Sequence, residues 1–117
     1  MMDSCLFSLV IRGEPSPFSE EWKSMVAMQI KKCLPLKPVD FPLSIEISYS
    51  FSPPEVVKSN EPALAVLNKV IFDIMREAGF WLDDAIVFEL WTWKFYASCD
   101  CVPSVFISVW RREDENE

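Results

Sequence analysis

The chain has 117 residues, half of them apolar and a quarter charged, and a formal net charge of −7. A chain of this length and make-up buries roughly two-thirds of its unfolded surface, so one globular domain is expected to fold without a metal or a disulfide, and extensive disorder is excluded. No apolar run approaches the ~20 residues of a membrane span, and no N-terminal stretch joins a basic leader to an apolar core, so neither membrane insertion nor secretion is expected and the compartment expected is the cytoplasm.

The absence of histidine excludes every His-dependent triad and most zinc sites. Four cysteines without a secretory signal read as reduced thiols, expected as small buried apolar residues. A four-cysteine metal site joining Cys5, Cys33, Cys99 and Cys101 is the weaker alternative.

Charge is unevenly placed. Residues 1–60 hold six Lys/Arg against seven acids, and residues 61–117 hold five against eleven. Four of those acids fall in residues 113–117, so residues 1–111 are expected as one domain and 112–117 as an acidic, solvated tail. An acidic surface repels phosphates, so nucleic-acid binding is expected to be weak or absent.

Nine prolines against two glycines punctuate the chain into six periodic segments. Cys5, Phe7, Leu9 and Ile11 alternate with Leu6, Ser8, Val10 and Arg12, which predicts a strand ending at Gly13-Glu14-Pro15. Ser19 is placed to cap a helix with Glu20 and Glu21 in its first turn and Trp22, Met25, Val26, Ile30 and Cys33 along one face, stopped by Pro35.

From Leu43 the period becomes two. Leu43, Ile45, Ile47, Tyr49 and Phe51 face one way and Ser44, Glu46, Ser48 and Ser50 the other, which predicts a half-solvated strand. After Pro62, the residues Leu64, Leu67, Ile71, Ile74, Met75 and Ala78 form a helical stripe with a Lys69–Asp73 pair and a Gly79 C-terminus. Residues 86–96 and 102–111 read as two further strands, expected as an antiparallel hairpin around residues 97–103.

The order β-α-β-α-β-β predicts an α+β domain, a mixed four-stranded sheet with both helices packed on it. In the third strand both faces are apolar, with Ile86, Phe88, Leu90 and Tyr96 on one and Val87, Trp91, Trp93 and Phe95 on the other. Two helices cover only one face of so small a sheet, so Phe88, Trp91, Trp93 and Phe95 are expected either beneath a C-terminal segment or at a homodimer interface.

Gly79-Phe80-Trp81-Leu82-Asp83-Asp84 resembles the RusA family of Holliday-junction resolvases, small dimeric endonucleases of bacteria and prophages. Residues 69–84 are similar to the family's second helix and following turn almost throughout. Gly13-Glu14-Pro15 resembles a shorter Gly-x-Pro element, the order of elements is also similar, and the resemblance spans residues 5–111. It implies the RusA fold, a homodimer, and a magnesium site built from Pro-Asp-x-Asp-Asn-x-x-Lys at the start of the second helix and an aspartate after it.

In this chain the motif reads Pro62-Ala63-Leu64-Ala65-Val66-Leu67-Asn68-Lys69. Ala63 and Ala65 stand where the resemblance implies metal-ligand aspartates, and Val66 where it implies asparagine. A methyl group ligates nothing, so Asp84 and its neighbour Asp83 are the remaining metal candidates, with Lys69 at the catalytic lysine and Glu61 a substitute ligand only if it swings in. Lys23, Lys31, Lys32, Lys37 and Lys58 are the candidates for a basic DNA-binding patch, while residues 13–22 carry acids where the family carries bases.

These departures predict a degenerate resolvase homologue that acts through binding, on a protein partner with a basic surface or on junction DNA, and that needs no cofactor. The alternatives are a weak Mg²⁺-dependent junction endonuclease of DNA recombination or repair and an acidic inhibitor or DNA mimic directed at a nucleic-acid enzyme.

Overall fold

The computed structural model describes residues 4–53, 62–98 and 100–112. They form strand β1 (Ser4–Arg12), helix α1 (Glu20–Lys31), strand β2 (Leu43–Phe51), helix α2 (Leu64–Ala78), a short 3₁₀ turn (Asp84–Ile86), strand β3 (Val87–Tyr96) and strand β4 (Ser104–Arg111). No helix among the described residues is long and apolar enough to cross a membrane. Glu61, Lys58, Cys99 and the acidic residues 113–117 lie outside the described residues.

Local chemistry accounts for the helix ends. The Ser19 hydroxyl accepts the backbone N–H of Trp22 at 3.1 Å and so satisfies one of the orphan donors of α1. At the other end, Lys32 N–H and Cys33 N–H bond to the carbonyls of Gln29 and Ile30. The helix thus closes before Pro35, and Cys33, expected on its stripe, lies just beyond the cap. Helix α2 ends at Gly79, whose φ of 92° is left-handed. Gly79 N–H bonds to Arg76 C=O at 3.0 Å and Phe80 N–H to Met75 C=O at 2.9 Å, the paired closure of a Schellman motif.

The four strands make one mixed sheet in the order β1-β4-β2-β3, with β4 antiparallel to β1 and β2 and with β3 parallel to β2. The expected fold class therefore holds, but the expected hairpin does not. Strand β2 lies between β3 and β4, and residues 97–103 carry the chain past its end, where Ala97 N–H meets Phe51 C=O at 2.8 Å. Adjacent strands are ~4.8 Å apart, so a seven-residue connection spans two spacings as easily as one. Burial decides the order: β2 is buried almost throughout and takes the centre, while β3, exposed on both faces, takes an edge.

Both helices cover the same face of the sheet. Trp22, Val26 and Ile30 of α1 and Leu67, Ile71 and Met75 of α2 join Leu43, Ile45, Ile47 and Tyr49 of β2 and Val105, Ile107 and Val109 of β4 in one core. The opposite face of β2 is not half-solvated as expected. Ser44, Ser48 and Ser50 are buried because they form a floor of small side chains between the large neighbours their register supplies, Phe106 and Trp110 on β4 and Trp93 and Phe95 on β3.

A register shift at the start of β3 sets Val87 opposite Leu43 and Glu89 opposite Ser44, leaving Phe88 as the extra residue. Val87 consequently packs on the core with Ile86 and does not join the face that carries Trp91, Trp93 and Phe95. The cysteines depart from expectation as well: Cys5 and Cys101 are exposed and Cys33 is half-buried. Among the described residues no cluster of three or more His, Cys, Asp or Glu side chains is arranged to hold a metal ion.

Candidate functional site

Helix α2 and the turn after it carry every site residue that the motif singled out. At its N-terminus, Ala63 is the cap in extended backbone (φ −72°, ψ 152°), with no side-chain hydrogen bond to the first turn and no acid within that turn. Ala63 and Ala65 are exposed, and Val66 is exposed by 38%. None of the three is excluded from polarity by the core, so their methyl groups are not demanded by packing.

Lys69 is solvent-exposed, and its Nζ donates to Asp73 Oδ2 at 3.0 Å, the pair that its i,i+4 spacing predicts. Asp73 also accepts from Arg76 at 2.9 Å. Hydrogen bonding from Lys69 first and then from Arg76 holds the Asp73 carboxyl below the usual carboxylate range, against the opposing effect of desolvation.

The chain of charges runs on to Asp84. Arg76 Nη1 donates to Asp84 Oδ2 at 2.6 Å, and the indole Nε1–H of fully buried Trp81 donates to Asp84 Oδ1 at 2.7 Å. Both carboxylate oxygens thus hold donors, one of them a cation, which is the opposite of the open, electron-rich pair a hard divalent ion requires. Asp83 caps the 3₁₀ turn by accepting Ala85 N–H at 2.9 Å. Gly79 supplies the left-handed cap, and Phe80 and Trp81 pack edge-on against each other at a centroid separation of 5.9 Å, Phe80 also meeting Phe7 at 5.1 Å and Trp81 meeting Phe72 at 5.7 Å. Every residue of the Gly-Phe-Trp-Leu-Asp-Asp run except exposed Leu82 has work in the fold.

The structure does not bring the candidate metal positions together within one chain. Asp84 is tied to Arg76 in the last turn of α2, whereas Ala63 and Ala65 lie at its start. At 1.5 Å per residue, roughly 20 Å of helix separates Ala63 from Arg76.

Of the candidate basic patch, Lys31 and Lys32 adjoin at the end of α1, and Lys23 is paired with Glu20 at 2.9 Å. The aromatic candidates are all on β3, where Phe88, Trp91, Trp93 and Phe95 are 59%, 60%, 44% and 49% exposed.

A buried polar contact escaped the sequence reading. Buried Asn68 accepts at Oδ1 from Tyr49 Oη–H at 2.6 Å and from Thr92 Oγ1–H at 3.4 Å, which ties α2 to β2 and β3. Burial pushes the Tyr49 hydroxyl well above its ordinary pKa, so it stays a donor. The signal available was an amide inside an apolar helical stripe, one turn from Leu64 and from Ile71.

A mixed sheet under two helices, with an aromatic turn closing the second helix, defines a small α+β domain. The family described as endodeoxyribonuclease RusA matches residues 14–109, and the chain belongs to that family. No curated protein matches the chain at a significant level.

Proposed function

We propose that this chain is a Holliday-junction resolvase homologue that has given up cleavage and works by binding, as a homodimer. The observation that carries the reading is the contrast along α2. The motif positions that changed, Ala63, Ala65 and Val66, are exposed and unused by the fold, while those that persist at its far end, Gly79, Trp81, Asp83 and Asp84, each hold the structure together. Loss of selection for metal binding predicts that division, since a carboxylate with a structural partner survives and one without does not.

The donors in place at Asp84 fit an internal clamp better than a Mg²⁺ ligand, and Asp83 is taken by its turn. The net charge of −7 favours a partner with a basic surface over phosphates. The half-exposed aromatic side chains of β3 favour self-association, because patches of that size rarely stay bare on a monomer.

Incubation of the purified chain with a synthetic four-way junction in Mg²⁺ or Mn²⁺ tests this reading. No nicking is expected, and a mobility shift across salt is expected to give only non-specific affinity, on the order of micromolar or weaker. Symmetric, metal-dependent nicking that disappears in Lys69→Ala would overturn the proposal, because Lys69 is exposed and its loss does not disturb the core.

A further inference from the structure

The two edges of the sheet differ. At one edge, β1 pairs with β4 through a register shift near its start and carries a single aromatic residue, the half-buried Phe7. At the other, β3 runs for ten residues beside β2, and no strand lies on its outer side among the described residues. Natural proteins guard such an edge with proline, outward lysine, shortness or a central bulge. Strand β3 contains no proline, its register shift falls only at its first residues, and its single lysine, though exposed, is engaged, Lys94 Nζ donating to Pro62 C=O at 2.9 Å.

We infer that the outer edge of β3 pairs antiparallel with β3 of a second copy, joining two four-stranded sheets into one continuous sheet of eight. This rests on the homodimer reading above and names the surface by which the dimer forms. Area supports it. Phe88, Trp91, Trp93, Phe95 and Tyr96 are each about half exposed, and aromatic side chains bring 150–250 Å² apiece, so they offer roughly 500 Å² per protomer before the backbone edge is added, against the ~800 Å² per partner of a stable interface.

Charge supports a second copy over a basic or nucleic-acid partner. Strand β3 carries one acid, Glu89, which accepts from Ser44 Oγ at 2.6 Å and lies 3.5 Å from Arg112, and one base, Lys94, so its formal charges cancel and a second copy of the strand is not repelled.

Symmetry narrows the register. A two-fold axis normal to the sheet keeps like faces together, so residues directly opposite each other are both odd or both even in number. Centring on Thr92 sets Trp91 opposite the partner's Trp93 twice over, giving each exposed tryptophan an aromatic cross-strand neighbour.

Single cysteines test the arrangement in a full-length variant whose Cys5, Cys33, Cys99 and Cys101 are serine. The chain is expected to sediment at twice its 13.5 kDa mass, with Thr92→Cys oxidising to a covalent dimer and Val10→Cys, exposed on the face opposite the helices, not doing so. A dimer cross-linked through Val10→Cys overturns edge pairing but keeps the homodimer, and a monomer overturns both.

Amide exchange on the unsubstituted chain gives a second readout, independent of folding of the variants. On dimerisation, alternate β3 amides are expected to slow by on the order of tenfold or more. Slowed exchange with no cross-link keeps edge pairing in another register, and unchanged exchange overturns it.

Discussion

The two ends of helix α2 answer differently to the same sequence pressures. The C-terminal end is dense with partners: a left-handed Gly79, a buried Trp81 and a carboxylate at Asp84 that accepts from an indole and a guanidinium. The N-terminal end is bare, with an uncapped Ala63 and exposed Ala65 and Val66. The difference teaches that the run Gly79-Phe80-Trp81-Leu82-Asp83-Asp84, exposed Leu82 apart, is explained by folding without any appeal to catalysis.

The sharpest way to break that contrast is Asp84→Ala. It strands the N–H of a fully buried indole, so unfolding by denaturant is expected to show a loss of about 2 kcal/mol, whereas a carboxylate kept only for a metal would cost nothing on removal. Gly79→Ala comes next. No neighbouring atom would meet the new Cβ within 4 Å, so the cost is that of the φ of 92° alone, about 1.5 kcal/mol, read as a lower denaturation midpoint at constant slope.

The opposite sign is expected at the bare end. Ala63→Asp places an acceptor at an unfilled N-cap and a negative charge at the positive end of the dipole, and should stabilise the chain by about 1 kcal/mol in the same assay. An unchanged or lowered midpoint would mean that the first turn of α2 is not free to be capped.

The smallest effect lies between the ends. The Asp73 carboxyl is held below its ordinary pKa by Lys69 and Arg76, so its pairing contributes above the ordinary carboxylate range and is lost as pH falls through the lowered folded value. Because the pair is largely exposed, Asp73→Asn should cost only a few tenths of a kcal/mol at neutral pH, and the difference from the parent should vanish in acid.

Much of this was readable along the chain, because it depends on neighbours in sequence. The Ser19 cap, the Gly79 terminus, the Lys69–Asp73 pair and the core stripes of both helices follow from spacings of three and four residues, and the core face of β2 follows from a spacing of two. That Ala63 and Ala65 can ligate nothing was equally plain, since a side chain that lacks oxygen announces it in any fold.

Contacts that arise only when the chain folds back on itself were not readable. Trp81 and Arg76 meet at Asp84 only because the turn after α2 folds back on the helix, and Asn68 finds Tyr49 and Thr92 only after α2 settles across β2 and β3. The insertion of β4 between β1 and β2, and with it the placing of β3 at an exposed edge, is decided by which strand can be buried on both faces. Periodicity of a strand records which side chains share a face; it carries no record of the strand lying beside it, and that choice belongs to the packed whole.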